Sequence, residues 1–230
     1  MLKSLLCGLG IALASAALAF PVPVRAYVPI DDHYLCDFPQ PLNVYRYFRW
    51  YPQELPLKVY IPEPDFGQNQ QLAYRELVSA AFMRWQQKVP TFKFMMVAQP
   101  EAADIRVVWH EHFPESESAW GKAMFPTPYR TAEGIRHRSQ IHLAIRPQKG
   151  TGFVSGSQAL FSADELLAIA THEVGHALGL PHSRNRDDIM SSHIYRLVAS
   201  YEWEITPRDM ATLVRLYTLP WELEIPPCNG

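Results

Sequence analysis

Three histidines have the types and spacing that one metal ion requires. His172 and His176 stand four residues apart, so on a helix both imidazoles project from one face and can hold the same ion. Gly179 suits the left-handed residue that ends a helix, and the turn after it brings His182 round as a third ligand. Three neutral nitrogens leave the fourth tetrahedral position open, as a catalytic zinc site requires.

Glu173 follows the first of these histidines and would lie beside the ligand face rather than on it. A carboxylate in that place can take a proton from zinc-activated water without filling a coordination site. The competing interpretation is an ordinary pair of histidines on an amphipathic helix. The complete pattern, with Gly179 and His182 at their offsets, favours the zinc site.

Local signals predict the helix that must carry these ligands. Ser162 is followed three residues later by Glu165, the reciprocal pairing of a capping box, and the helix should end at Gly179. Thr206 and Pro207 mark the start of another helix by the same signals.

The first half of the chain is predicted to be mostly strands crossed by one helix. Apolar residues at helical spacing predict that helix, which ends before Pro90: Tyr74, Val78, Phe82 and Trp85. Alternating or β-branched runs predict strands over residues 57–61, 92–97, 105–109, 119–125 and 140–145. The layout is α+β.

Length and composition indicate one exported domain. The chain has 230 residues, 48 % of them hydrophobic, and its net charge of -2 gives no sign of a nucleic-acid partner. Residues 1–19 have the charged start, apolar run and small-residue end of a signal peptide, with cleavage as late as residue 26 as a second option. We expect a mature protein without a membrane span, secreted or periplasmic.

Two cysteines remain once Cys7 leaves with the signal peptide. In an oxidising compartment, a disulfide between Cys36 and Cys228 is the plain expectation. The sequence leaves a second reading open, in which the Cys36 thiolate binds the zinc and keeps the enzyme latent.

The pattern His-Glu-x-x-His-x-x-Gly-x-x-His resembles the signature of the metzincin metalloproteases, which a methionine-containing turn follows. Met190 fits as that methionine, beneath the zinc. Ser183, directly after the third histidine, resembles the matrixin branch, which includes the matrix metalloproteinases. Weaker similarity extends over roughly residues 50–218, in 103–105 and 206–209.

The resemblance implies a zinc-dependent endopeptidase with Glu173 as general base. The implied fold is a twisted, mostly parallel five-stranded sheet with an antiparallel edge strand and three helices. An extended N-terminal segment, 27–49, would precede a catalytic domain over 50–230. The cleft would lie between an upper part, 50–179, and a lower part, 180–230, and an extended protein or peptide substrate would bind along the edge strand.

Three departures from the family pattern limit what the resemblance implies. A second, structural zinc would need a His-x-Asp unit, which is absent around His110, His112, His137 and His142, and calcium sites are equally undecided. The family's latency segment, Pro-Arg-Cys-Gly, is absent as well. After Met190 the chain has neither the proline of matrixins nor the tyrosine of the astacin-like and serralysin-like members.

A zinc-stabilised module that binds peptides without turnover is the alternative function. The oligomeric state is not indicated.

Overall fold

The computed structural model describes residues 32–37, 48–65, 73–114, 117, 119–147, 160–194 and 203–219. These ranges contain the strands β1 Leu57–Tyr60, β2 Phe94–Met96, β3 Ile105–His110, β4 Gly121–Ala123, β5 Thr127–Thr131 and β6 Gly134–Ala144. They also contain the helices α1 Tyr74–Lys88, α2 Ala163–Ala177 and α3 Pro207–Thr218, with single 3-10 turns at Pro52–Glu54 and Pro100–Ala102.

The sheet has the order β2-β1-β3-β6-β4. The first four strands in that order are parallel to one another, and β4 runs antiparallel to β6 at the edge. The mostly parallel five-stranded sheet with an antiparallel edge strand is therefore confirmed. The strand predicted over 140–145 is longer than expected, and β5 was not predicted at all; it forms a hairpin with the first half of β6.

One face of the sheet packs against helices. Along β1, β3 and β6, buried residues that point to this face alternate with partly exposed residues on the other face. The buried residues are Leu57, Val59, Ile105, Val107, Ile141 and Leu143. Helix α1 contacts α2 through Trp85, whose indole N–H donates to the Thr171 carbonyl at 2.8 Å. The helix that carries the candidate ligands therefore lies in the centre of the core.

The predicted helix caps are present. Glu165 N–H donates to Ser162 Oγ at 3.3 Å, and Ser162 N–H donates to Glu165 Oε2 at 2.7 Å. Thr206 and Asp209 make the same reciprocal pair at the start of α3. At the other end of α2, Gly179 has a φ of 98°, the left-handed conformation that favours glycine.

Several predictions fall on residues that the structure does not describe. The signal peptide 1–19, most of the extended segment 27–49 and Cys228 lie outside the described residues. Cys36 is disulfide-bonded, while its pairing with Cys228 stays a prediction. Among the helices described, none combines the length and hydropathy needed to cross a bilayer.

Candidate metal centre

The structure brings the three predicted ligands together. His176 Nε2 lies 3.1 Å from His172 Nε2 and 3.1 Å from His182 Nε2. The first two come from one face of α2, and the third comes from the turn that follows Gly179. In the described part of the chain, this is the one group of three or more metal-ligating side chains that converge.

The backbone fixes which nitrogen of two ligands faces the common point. His172 Nδ1–H donates to the Ile189 carbonyl at 2.6 Å, and His176 Nδ1–H donates to the Leu180 carbonyl at 2.7 Å. In each of these two histidines, Nε2 then carries no proton and has its lone pair available, and the two lone pairs face a common point. Two zinc–nitrogen bonds of ~2.0–2.1 Å at tetrahedral angles place their nitrogens about 3.3 Å apart, so the donor set fits zinc.

Burial keeps the histidines in the neutral form that metal binding needs. It lowers the pKa of His172 to about 3, and the nearby His182 acts in the same direction. Burial, together with the two neighbouring histidines, also lowers the pKa of His176 well below its usual value. His182 is the exposed member, and its pKa is lowered too. At neutral pH the two buried histidines, His172 and His176, are therefore uncharged and can bind a cation.

Glu173 lies in a space that strand β4 closes. Glu173 is 5 % exposed, and its carboxylate accepts a hydrogen bond from the Ala123 N–H, while Oε2 has no hydrogen-bond partner among the described residues. A Cβ on Gly121 would lie 2.6 Å from both Cγ and Oε1 of Glu173. Burial raises the pKa of Glu173 to about 8. One oxygen is held in place, and the other has no described partner that would compete for a proton once the carboxyl group is ionised.

Met190 supports the ligand helix from below. It is fully buried, and its sulfur occupies the place where a Cβ on Gly175 would stand. Ser183 N–H donates to the Met190 carbonyl at 2.7 Å, which ties this turn to the residue after the third ligand. The turn also supplies the Ile189 carbonyl that orients His172.

A buried polar network holds that turn, and no sequence pattern predicted a role for it in the site. Asp209 is fully buried and accepts the Ile189 N–H at 3.0 Å and the Tyr34 hydroxyl at 2.9 Å. Asp188 accepts from Ser183 Oγ and from Arg208 at 2.8 Å. Acidic residues in a first helical turn usually serve as caps, so only burial reveals the second function of Asp209.

Strand β4 passes over the metal centre and leaves one edge unpaired within the described residues. Its backbone bonds to β6 begin at the Trp120 carbonyl and end at the Met124 N–H. Gly121 lies against Glu173, and four residues later the Phe125 ring lies 5.8 Å from the ring of His176. An extended peptide added to this edge would lie across the three histidines.

The other histidines form no comparable group. His110 Nε2 and His142 Nδ1 are 2.8 Å apart on neighbouring strands, and His142 is a strand residue as expected. His137 is buried and paired with Glu54 at 2.9 Å. His112 is exposed. No third ligand joins these residues within the ranges that the structure describes.

Comparisons with known proteins relate this chain to a peptidase family. The sequence model of the peptidase family described as Matrixin matches residues 49–218. Karilysin of Tannerella forsythia is 24 % identical over 156 residues, which are 65 % of this chain and 29 % of karilysin. Macrophage metalloelastase of Rattus norvegicus is 26 % identical over 179 residues, 75 % of this chain and 34 % of the elastase. The aligned region thus spans about a third of the length of these curated relatives.

Proposed function

Because the chain belongs to the matrixin family, we propose that it is an exported zinc-dependent endopeptidase that hydrolyses internal peptide bonds of proteins or peptides. One observation carries the proposal. Three histidine nitrogens converge beside a buried carboxylate whose Oε2 has no hydrogen-bond partner among the described residues, at the open edge of a strand. His172, His176 and His182 would hold the zinc, which, when bound, polarises a carbonyl and lowers the pKa of water.

Glu173 would carry the proton through the reaction. Its free Oε2 accepts a proton from the attacking water, whose oxygen bonds to the carbonyl carbon of the substrate. The same proton then passes to the amide nitrogen as the carbon–nitrogen bond breaks, so the products contain one added water. The Ala123 N–H holds the other carboxylate oxygen and fixes the direction of Oε2 during both transfers.

Strand β4 would hold the substrate. The backbone groups of Lys122 face β6, so the Gly121 N–H and the carbonyls of Gly121 and Ala123 remain for a peptide at the open edge, while the Ala123 N–H donates to Glu173. A peptide bound there as an extra strand gains main-chain hydrogen bonds whatever its sequence. We propose export because the signal-like residues 1–19 and the disulfide at Cys36 both suit an oxidising compartment. A disulfide-bonded Cys36 has no thiolate to offer the zinc, which favours the disulfide over latency through Cys36.

A peptide library tests the proposal. The mature chain beginning at Tyr27 is loaded with zinc and incubated with the library beside its Glu173→Ala variant. We expect cleavage at internal bonds by the parent and none by the variant, since a general base contributes about 10²–10⁴-fold to the rate. Stable peptide binding without products, in both proteins, would instead support a zinc-stabilised binding module.

A further inference from the structure

The open edge of β4 continues beyond the metal centre. Ala123 pairs with Ile141, and four residues later Thr127 pairs with Arg138, three residues earlier on β6. One extra residue on the first strand is a β-bulge, so β4 and β5 form a single bent arm along β6. The opposite edge of β6 is taken at this point, because His137 N–H donates to Glu54 at 2.6 Å. The outer edge of β5 is therefore an extension of the outer edge of β4.

The hairpin of residues 127–138, here named the cationic hairpin, carries three arginines and one glutamate. Arg136 is partnered, since it lies 3.2 Å from the carboxylate of Asp104. Arg130 and Arg138 are exposed, and neither makes an ion pair with any residue that the structure describes. The guanidinium of Arg138 lies over the ring of Tyr129, 5.0 Å from its centroid, which holds it in place.

The backbone of this extension is poorly suited to bind a peptide by itself. Pro126 and Pro128 have no N–H to donate, and the bulge turns the arm away from a straight ladder. Side chains must therefore provide most of the affinity here. The side chains available are the guanidinium groups of Arg130 and Arg138, which have no ion-pair partner among the described residues and, by the pairing register, lie on opposite faces of the hairpin. An added strand also alternates its side chains between two faces, and guanidinium groups match carboxylates in charge and in bidentate geometry.

We propose that the cationic hairpin is a distal substrate subsite that binds aspartate or glutamate side chains of the cleaved protein. The inference rests on the proposed function and adds a substrate class to it. Arg130 lies five residues beyond Phe125, the residue beside His176. At ~3.4 Å per residue that is about 17 Å, so an acidic residue facing Arg130 binds about four to six positions from the scissile bond, while Arg138, which pairs with Thr127, lies about three residues nearer. They lie on one side of that bond only.

Fluorogenic peptides test this subsite. A cleaved peptide from the library is extended on one side or the other by a flank of neutral, acidic or basic residues. We expect an acidic flank on one side to raise kcat/KM by about 3–10-fold over the neutral flank, through KM, as two exposed ion pairs allow. The gain shrinks toward one as ionic strength rises from ~0.05 M to ~0.5 M.

Charge variants identify the groups responsible. The Arg130→Gln/Arg138→Gln double variant should reduce the ratio of acidic-flank to neutral-flank kcat/KM to about one, and Arg130→Glu/Arg138→Glu should transfer the preference to the basic flank. Arg75→Gln removes an equal charge on α1, where Arg75 is paired with Glu63, and should keep the ratio of the parent. An acidic preference that survives the double variant, or one that never appears, overturns the proposal.

Binding separates this inference from the proposed function. The same peptides, without quencher, are titrated against the zinc-loaded Glu173→Ala variant and followed by fluorescence anisotropy. Tighter binding of the acidic-flank peptide, lost with the arginine substitutions, supports the subsite even when the parent cleaves nothing. Equal binding of the three flanks refutes the subsite, while cleavage by the parent leaves the proposed endopeptidase in place.

Discussion

Replacing Gly121 with alanine should slow catalysis by moving Glu173. The new Cβ would stand 2.6 Å from Cγ and Oε1 of Glu173, whereas carbon atoms in ordinary contact are ~3.5–4.0 Å apart. The carboxylate or strand β4 must therefore shift by about 1 Å, and the Ala123 N–H that holds the carboxylate shifts relative to it. A misplacement of ~1 Å at a reacting group can cost ~10²-fold in rate, equal to about 2.7 kcal/mol in the activation barrier.

Steady-state kinetics with a fluorogenic peptide, beside zinc content by elemental analysis, measures this effect. Zinc should remain at the level of the parent, because the three atoms nearest the added Cβ all belong to Glu173 and none to a histidine. Aspartate at position 173 is shorter than glutamate and should relieve the clash with the new Cβ. In the Glu173→Asp background, adding Gly121→Ala should therefore lower kcat by less than about threefold relative to Glu173→Asp alone. If Gly121→Ala alone keeps kcat within about threefold of the parent with zinc bound, β4 does not position the base, and the reasoning is wrong.

Three further predictions concern the stability of the fold and its dependence on zinc. Met190→Ala should lower the free energy of unfolding by about 2–5 kcal/mol and weaken zinc binding, because the fully buried side chain fills the space below Gly175; a loss under ~1 kcal/mol in urea denaturation would contradict this. Burial raises the pKa of Glu54, but the hydrogen bonds from His137 and the Tyr51 N–H together lower it by more, so the pKa lies below its usual value. The carboxylate therefore stabilises the fold above pH ~4.3, and this contribution is lost as pH falls through the depressed pKa. Glu54→Gln should cost about 1–3 kcal/mol at pH 7 and much less in acid, and an equal cost at both pH values would refute the pairing. Removing zinc that was present at about 100 times its Kd should cost about 2.7 kcal/mol, a fall in Tm of about 5–10 °C by calorimetry, and His182→Ala should show no such zinc-dependent shift.

Local signals explain which parts of the fold could be predicted from the sequence. The starts of α2 and α3 depend on capping pairs three residues apart, and the end of α2 depends on Gly179 alone. Strands β1 and β3 have the alternation of one buried and one exposed face. Each of these features acts over a few residues, so its physics is present in a short stretch of sequence.

Strand β5 was missed because nothing local specifies it. Its sequence, Thr-Pro-Tyr-Arg-Thr, contains a proline and lacks alternating apolar residues, so its extended form depends on pairing with β6. The predicted strand over 140–145 likewise stopped short of Gly134, because the first half of β6 is arginine-rich. Pairing partners contribute here what side-chain pattern does not.

The residues that surround the three ligands could not be predicted from local sequence patterns either, for the same reason. The ligands follow from their spacing on one helix and its turn. The contact of Gly121 with Glu173 joins residues more than fifty positions apart, and Asp209 reaches the Ile189 N–H across another gap. Tertiary packing decides such contacts, and single residues in the sequence give no sign of them.

The most direct test of the zinc endopeptidase compares the parent with Glu173→Gln, which has nearly the shape of the parent side chain but no basic oxygen. Native mass spectrometry counts the zinc in each protein, and liquid chromatography with mass spectrometry follows one unlabelled peptide. We predict one zinc in both proteins, two products whose masses sum to the peptide plus one water with the parent, and a rate at least ~10²-fold lower with the variant. A zinc-loaded parent that leaves peptides intact, or a variant that cleaves as fast as the parent, would contradict the account.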